Sequence, residues 1–259
     1  MQFRSTAMMT DSAEDALIRV RDLKKQSERR HMHVESFFLN EEELASVQPE
    51  FPESEFVRYD GGYEGARKKK VIFLRDEEDD FSDIVCLKAE TDQRFRAIGH
   101  RDILGALMSL QIDRHSFGDF WMEENCIYLY TSDQMGRFLE DNLTRISRLN
   151  VSFHRIEEHP VQVFHTKKNE VVIASERLDA VVAALVHCSR NEAKEMIRQG
   201  KVQINHRVLE APDKMCDNGN TISIRGTGRF TYQGVRNHTK KDRIVAEFLQ
   251  DIQGKERSS

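Results

Sequence analysis

The segment Ser175–Arg225 constrains this chain more than any other part of it. Leu178, Val181, Val182, Leu185 and Val186 recur with the period of a helix that buries one face. Ser189 and Glu192 have the Ser-x-x-Glu spacing of a capping box, so a second helix should start there. Ala193, Met196 and Ile197 form its apolar face, and Gly200 can take the left-handed conformation that ends it. Two short β runs follow, Lys201–Ile204 and Arg207–Leu209, joined by Asn205-His206. That pair suits a two-residue hairpin, because Asn and His accept positive φ better than bulkier residues do. Asp217-Asn218-Gly219-Asn220 turns the chain into a further strand, Thr221–Arg225. The pattern predicts two short helices followed by a small sheet.

The polar face of the second helix points to a ligand class. Arg190, Lys194, Arg198 and Lys201 fall at about 0°, 40°, 80° and 20° around the axis, one narrow stripe if the helix runs that far. Cations one turn apart repel by a few tenths of a kcal/mol per pair. A row of phosphates relieves that repulsion, although Glu192 and Glu195 would also ease it on a merely solvated face. Arg177, Ser189, Asn205 and Arg207, at two helix starts and a hairpin, complete a set suited to structured RNA. Such RNA is read through phosphates and 2′-hydroxyls. No aromatic platform for single strands occurs in the segment before Phe230 and Tyr232.

Charge is unevenly placed. The chain holds 39 Lys and Arg against 44 Asp and Glu, a net charge of −5, which argues against a general nucleic-acid coat. From Ser175 onward the balance reverses, with 15 Lys and Arg against 11 Asp and Glu. A basic C-terminal third on an acidic body fits a polyanion-binding module attached to something else, or ordinary unevenness.

The rest of the chain reads as α+β. Ala16, Leu17, Val20 and Leu23 predict a helix, with Arg19, Arg21, Lys24, Lys25, Arg29 and Arg30 on its polar side. Asn40 followed by Glu43 predicts a helix start. Val71–Leu74 and Ile84–Leu87 read as strands on either side of the acidic run Asp76–Asp80. A helix is expected over His100–Leu110, and strands over Asp119–Met122 and Cys126–Tyr130. Thr131 and Gln134 suggest a capping box opening a helix with Met135, Phe138, Leu139, Leu143 and Ile146 on one face. Val151–Ile156 reads as a closing strand, and Pro160 with Thr166–Asn169 as a linker. Tyr128 and Tyr130 share a strand face, where packing is the expected role and base stacking the alternative. The expected divisions are residues 1–90, 91–165 and 170–250.

Several classes are disfavoured. No run of about 18 apolar residues exists, so no membrane partner is expected. The acidic N-terminus does not resemble a secretory signal, and the four cysteines form no CxxC. A reduced, cytoplasmic protein is expected. His31-Met32-His33 lacks a third ligand and no phosphate loop is present, so no metal, cofactor or small-molecule substrate is expected.

Arg177-Leu178-Asp179, the pattern SRxxAKxxIxxGxVxIN from Ser189 to Asn205, and DNGNTISIR together resemble the S4 RNA-binding domain. His206 stands where that pattern commonly has Gly. HRDILGALMSLQIDRHSFGD, NLTRISRLNVSF and RGTGRF are similar to the bacterial YlmH family. The resemblance implies a C-terminal S4 domain of two helices on a small curved sheet, over residues 170–250. It also implies an RRM-like middle domain at 91–165 behind an N-terminal α+β region. This sequence lacks the aromatic pattern with which RRM sheets stack bases. As partners it implies ribosomal RNA, tRNA and the large ribosomal subunit, in rescue or quality control of stalled translation. With no nucleotide loop, metal cluster or modifying-enzyme domain in the sequence, no enzymatic activity is expected. An older family name implies cell division, so a division adaptor is one alternative. The other is an RNA-modifying enzyme such as a pseudouridine synthase, whose Arg-Leu-Asp carries a nucleophilic Asp. Here only 80 residues follow Asp179, too few for that catalytic domain, so Asp179 reads as a helix-start carboxylate.

Overall fold

The expected N-terminal helix forms as α1 (Ala13–Arg30), with Glu14 and Asp15 in its first turn and Arg29 and Arg30 in its last, as the helix dipole favours. The computed structural model describes residues 13–76, 82–91, 98–162, 165–240 and 243–252, so residues 77–80 of the acidic run lie outside the described residues. The chain divides into two units, residues 1–162 and 163–259.

In the first unit α1 is followed by β1 (Val34–Glu35), α2 (Glu41–Val47), β2 (Val57–Asp60) and β3 (Lys70–Phe73). The strands form an antiparallel sheet in the order β1-β3-β2. Asn40 caps α2 as expected, accepting from the Glu42 and Glu43 amides, while Glu43 accepts from the Asn40 amide at 2.7 Å.

Next come β4 (Ile84–Glu90), α3 (His100–Ser109), β5 (Phe117–Glu123), β6 (Cys126–Ser132), α4 (Asp133–Asn142), the small hairpin β7 (Arg145–Ile146) and β8 (Leu149–Asn150), and β9 (His154–Ile156). The larger sheet runs β5-β6-β4-β9, all antiparallel. Counted along the chain this is β-α-β-β-α-β, the split-βαβ topology behind the RRM-like expectation. β4 hydrogen-bonds β6 along its whole length and β9 over Cys86–Lys88, so a strand placed by sequence before residue 91 sits inside the middle sheet.

The helix expected from Thr131 starts one residue later. Thr131 is buried in β6 and donates to the Ser116 carbonyl, while Ser132 caps α4 by accepting from the Met135 amide. Leu143 and Ile146 lie beyond α4, because the chain turns there into the β7–β8 hairpin.

One face of the larger sheet packs under α3 and α4, through Leu87, Leu129, Ile103, Leu107 and Leu139. The opposite face carries Cys86, Trp121 and Tyr130, and it is covered by Phe38 and Tyr63 from the N-terminal segment. Tyr63 lies 4.9 Å from the Tyr130 ring and 5.5 Å from Trp121. Gly62, at φ +90°, seats its backbone on Tyr130: an added Cβ would stand 2.4 Å from the ring. The Tyr130 hydroxyl donates to the Pro160 carbonyl. Tyr130 is therefore a packing residue, as expected, with no face left for a base.

Polar contacts fix the two sheets to each other. His115 Nε2 lies 2.7 Å from Glu43 Oε1, and its Nδ1 lies 2.9 Å from Asp113 Oδ1. Asp119 accepts from the Tyr63 hydroxyl and the Arg67 amide. Lys70, only 5 % exposed, is ion-paired to Glu35 at 2.9 Å and to Asp83.

The second unit contains β10 (His165–Ile173), α5 (Leu178–Val186), α6 (Arg190–Arg198), β11 (Val202–Ile204), β12 (Arg207–Val208), β13 (Thr221–Ile224), β14 (Gly228–His238) and β15 (Ile244–Ile252). These strands form one six-stranded sheet in the order β10-β15-β14-β13-β11-β12. The predicted linker Thr166–Asn169 is part of β10, paired in register with β15. It reads as polar because β10 is an edge strand, where charge discourages pairing with other chains. The sheet is thus larger than the small one expected, extended by β10, β14 and β15. Leu178, Val181, Val182, Ala193 and Ile197 of the helices pack on Ile204, Ile222, Phe230, Tyr232 and Phe248.

Glu247, 3 % exposed, accepts two hydrogen bonds from Arg236, each 2.7 Å, and pairs with Lys168 at 2.8 Å. The hydrogen bonds from Arg236 and Lys168 pull its carboxyl down to about 2. A lowered folded-state value means the stabilisation is present above the unfolded value of about 4.5 and is lost as pH falls towards about 2. Glu247→Gln should therefore flatten part of the acid side of the stability curve of the second unit. Denaturation followed by β14–β15 amide signals across that pH range checks it, and an unchanged curve counts against the clamp.

Candidate nucleic-acid interface

α5 starts against the loop before β13. Arg177 is its N-cap, and the Leu178 and Asp179 amides donate to the Lys214 and Pro212 carbonyls. Asp179 is thereby fixed in the first turn and is fully buried. Ser189 forms the expected capping box with Glu192: its Oγ accepts from the Glu192 amide at 3.2 Å, and Glu192 accepts from the Ser189 amide at 2.8 Å. That box makes Arg190 the first residue of α6 and aims it back at α5.

Three cations converge on the buried carboxylate. Arg190 Nη2 donates to Asp179 Oδ1 at 2.8 Å. Arg177 reaches both oxygens, at 3.3 and 3.4 Å, and the Lys194 ammonium stands 3.9 Å from Oδ2. The Arg177, Arg190 and Lys194 side chains remain 40 %, 47 % and 37 % exposed. Burial by itself would raise the Asp179 carboxyl. The hydrogen bonds from Arg177 and Arg190, with their charges, outweigh burial and hold it below the usual carboxylate range.

The other candidate residues are arranged differently from the predicted stripe. Arg198, the last residue of α6, pairs with Glu195 at 2.8 Å. Lys201 leaves the stripe, because the helix stops before it. Gly200 adopts φ +65°, its amide donates to the Ile197 carbonyl, and the Lys201 amide donates to Met196, a Schellman ending. Asn205 and His206 take φ of 47° and 65°, as a primed two-residue turn requires. Asn205 Oδ1 accepts from the Thr221 amide at 2.9 Å, so this side chain ties the hairpin to β13. Ser189 likewise acts as a cap. Arg207 is exposed on β12.

The sequence reading missed the role of Asp179 as the common partner of three cations. That role depends on the packing of α5 against α6, which no local pattern announces. Among the described residues no group of three His, Cys, Asp or Glu side chains could hold a metal, and no helix is long and apolar enough to cross a membrane.

Comparison with known proteins places these features. Residues 76–162 match a family described as "Putative RNA-binding domain in YlmH", and residues 176–222 match the S4 domain. "Ribosome-associated protein quality control protein P2" of Bacillus subtilis is 30 % identical over 198 residues, covering 74 % of this chain and 77 % of that protein. "Small ribosomal subunit protein uS4" of Halothermothrix orenii is 32 % identical over 88 residues, 34 % of this chain and 38 % of that protein. An "Uncharacterized RNA pseudouridine synthase" of Aquifex aeolicus is 27 % identical over 86 residues, 29 % of this chain and 36 % of that enzyme. The solved structure "Cell division protein ylmH from Streptococcus pneumoniae" superposes with a TM-score of 0.45 at 17 % identity, covering 60 % of this chain and 96 % of that one. Two RNA-binding domains in sequence, and a relative aligned over most of both lengths, have one reading: this chain belongs to the YlmH family, RNA-binding proteins with a C-terminal S4 domain.

Proposed function

We propose that this protein binds structured ribosomal RNA and tRNA on the large ribosomal subunit, in the cytoplasm, as a non-enzymatic factor in handling stalled translation. The observation that carries the reading is the convergence of Arg177, Arg190 and Lys194, half-exposed, on one face of the α5–α6 pair. Arg198, Lys201 and Arg207 extend the cationic surface, and Ser189 and Asn205 hold its two turns in place. The name of the Bacillus relative supports ribosome association. The choice of the large subunit with tRNA rests on family resemblance. Asp179 is sealed beneath three cations, which supports a non-enzymatic role, since a nucleophile needs access to its substrate.

Roughly four to seven phosphate contacts imply a log–log salt slope of about −3 to −6. Co-sedimentation at low and high salt, with stalled ribosomes and with separated subunits, tests the reading. Recovery with large subunits carrying tRNA, falling steeply with salt, is expected. Recovery with the small subunit alone, or with polysomal messenger RNA, overturns it.

A further inference from the structure

We infer that Asp179 is a positioning residue for RNA binding: it holds Arg177, Arg190 and Lys194 in a fixed array that meets phosphates without further ordering. The inference rests on the proposed RNA-binding reading and adds to it an acidic residue that never touches the ligand.

The geometry has two sides. Inward, the carboxylate has no exposed surface and takes hydrogen bonds from two guanidinium groups on different helices. Outward, each of the three cations keeps more than a third of its side chain in solvent. An Arg has five donors, and Arg190 commits one of them to Asp179, so most of its hydrogen-bonding capacity faces out. One buried anion under three cations leaves two net positive charges on a rigid patch.

Long basic side chains lose rotamer freedom when they bind, and that loss subtracts from affinity. Here the loss has already been met on folding, because one carboxylate pins the inner ends. Stability alone is a weak reason to retain such a group, since a buried ion pair often stabilises no more than a well-packed apolar substitute.

The test turns on a sign. If the cations act as independent point charges, removing a nearby negative charge tightens RNA binding. If Asp179 positions them, its removal weakens binding although the protein becomes more positive. Asp179→Asn in the full chain is the variant, with a structured ribosomal RNA fragment as probe. The expected result is a loss of about three- to tenfold in affinity at fixed salt, the scale of re-ordering one or two side chains. The salt slope should stay the same or steepen, because the phosphate contacts remain. Equal or tighter binding by the variant overturns the inference and leaves the RNA-binding reading standing. Absence of binding by the unaltered protein removes both.

A measurement on the unaltered chain covers the case in which Asp179→Asn fails to fold. The side-chain Nε–H groups of Arg177 and Arg190 should be as ordered in relaxation experiments as the surrounding backbone, before any RNA is added. Free averaging of both guanidinium groups overturns the inference.

Discussion

Arg190→Gln combined with Lys194→Gln should weaken binding of structured RNA by one to two orders of magnitude near physiological salt, and should reduce the salt slope by about two. Each substitution removes one cation from the exposed face while keeping most of its length. The harsher pair, Arg190→Glu with Lys194→Glu, should abolish retention at moderate salt. It should also destabilise the second unit, because two carboxylates would then face the buried Asp179, whose shortest contact is the 2.8 Å bond from Arg190. That cost should be smaller than the roughly 3–5 kcal/mol of breaking a fully buried pair, since both cations are part-exposed and Arg177 stays in place. Filter retention over a salt series, with thermal unfolding of each variant, separates the two effects. Unchanged affinity in the glutamine pair would remove the α5–α6 face from the interface.

Lys70→Ala should have the largest effect on the first unit. Lys70 sits between Glu35 and Asp83 with almost no solvent exposure. Its removal leaves Glu35 buried without its cation, a loss of about 3–5 kcal/mol. Replacing Lys70 and Glu35 together with apolar residues, Lys70→Met with Glu35→Leu, should recover part of it, because Glu35 is then no longer stranded, while Asp83 loses its cation but keeps 32 % of its side chain in solvent. The pH dependence has a definite sign. Burial raises the Glu35 carboxyl above its unfolded value of about 4.5, Asp83 raises it further, and Lys70 opposes both. A raised carboxyl is stabilising when protonated, so its contribution is full below the unfolded value and declines as pH rises through the folded one. The Lys70→Ala defect should therefore shrink on acidification, because Glu35 takes its proton at a pH above the unfolded value of about 4.5. The single tryptophan, Trp121, is buried in this unit and reports the denaturation midpoint directly. A defect that stays constant with pH would point away from Glu35.

Much of the local structure could be read from sequence, and the reason is range. The capping boxes at Asn40/Glu43 and Ser189/Glu192, the Asn205-His206 turn and the Gly200 ending each involve residues only a few positions apart. A pattern of that length is complete within the sequence. Thr131 shows the limit: it has capping chemistry, but the pairing of β6 with β4 carries the strand through Ser132, which caps α4 instead. The expected division at residue 90 separates β4 from its sheet, because its partner strands come some forty and seventy residues later. The polar β10 reads as a linker because its pairing partner, β15, lies some seventy to ninety residues further along the chain. The candidate cations were found, since charge spacing along a helix is local. The acid that gathers them was not, since Asp179 and Arg190 meet only when α5 and α6 pack.

The covering of Trp121 and Tyr130 by Phe38 and Tyr63 has a bearing on how this chain can be divided. A segment cut just before β4 would keep its full β-α-β-β-α-β order and both helices, yet would bare one whole aromatic side of its sheet to water. Such a piece is a domain by topology and a fragment by solubility. The residues that carry Phe38 and Tyr63 therefore belong with the sheet they shelter in any division of the first unit.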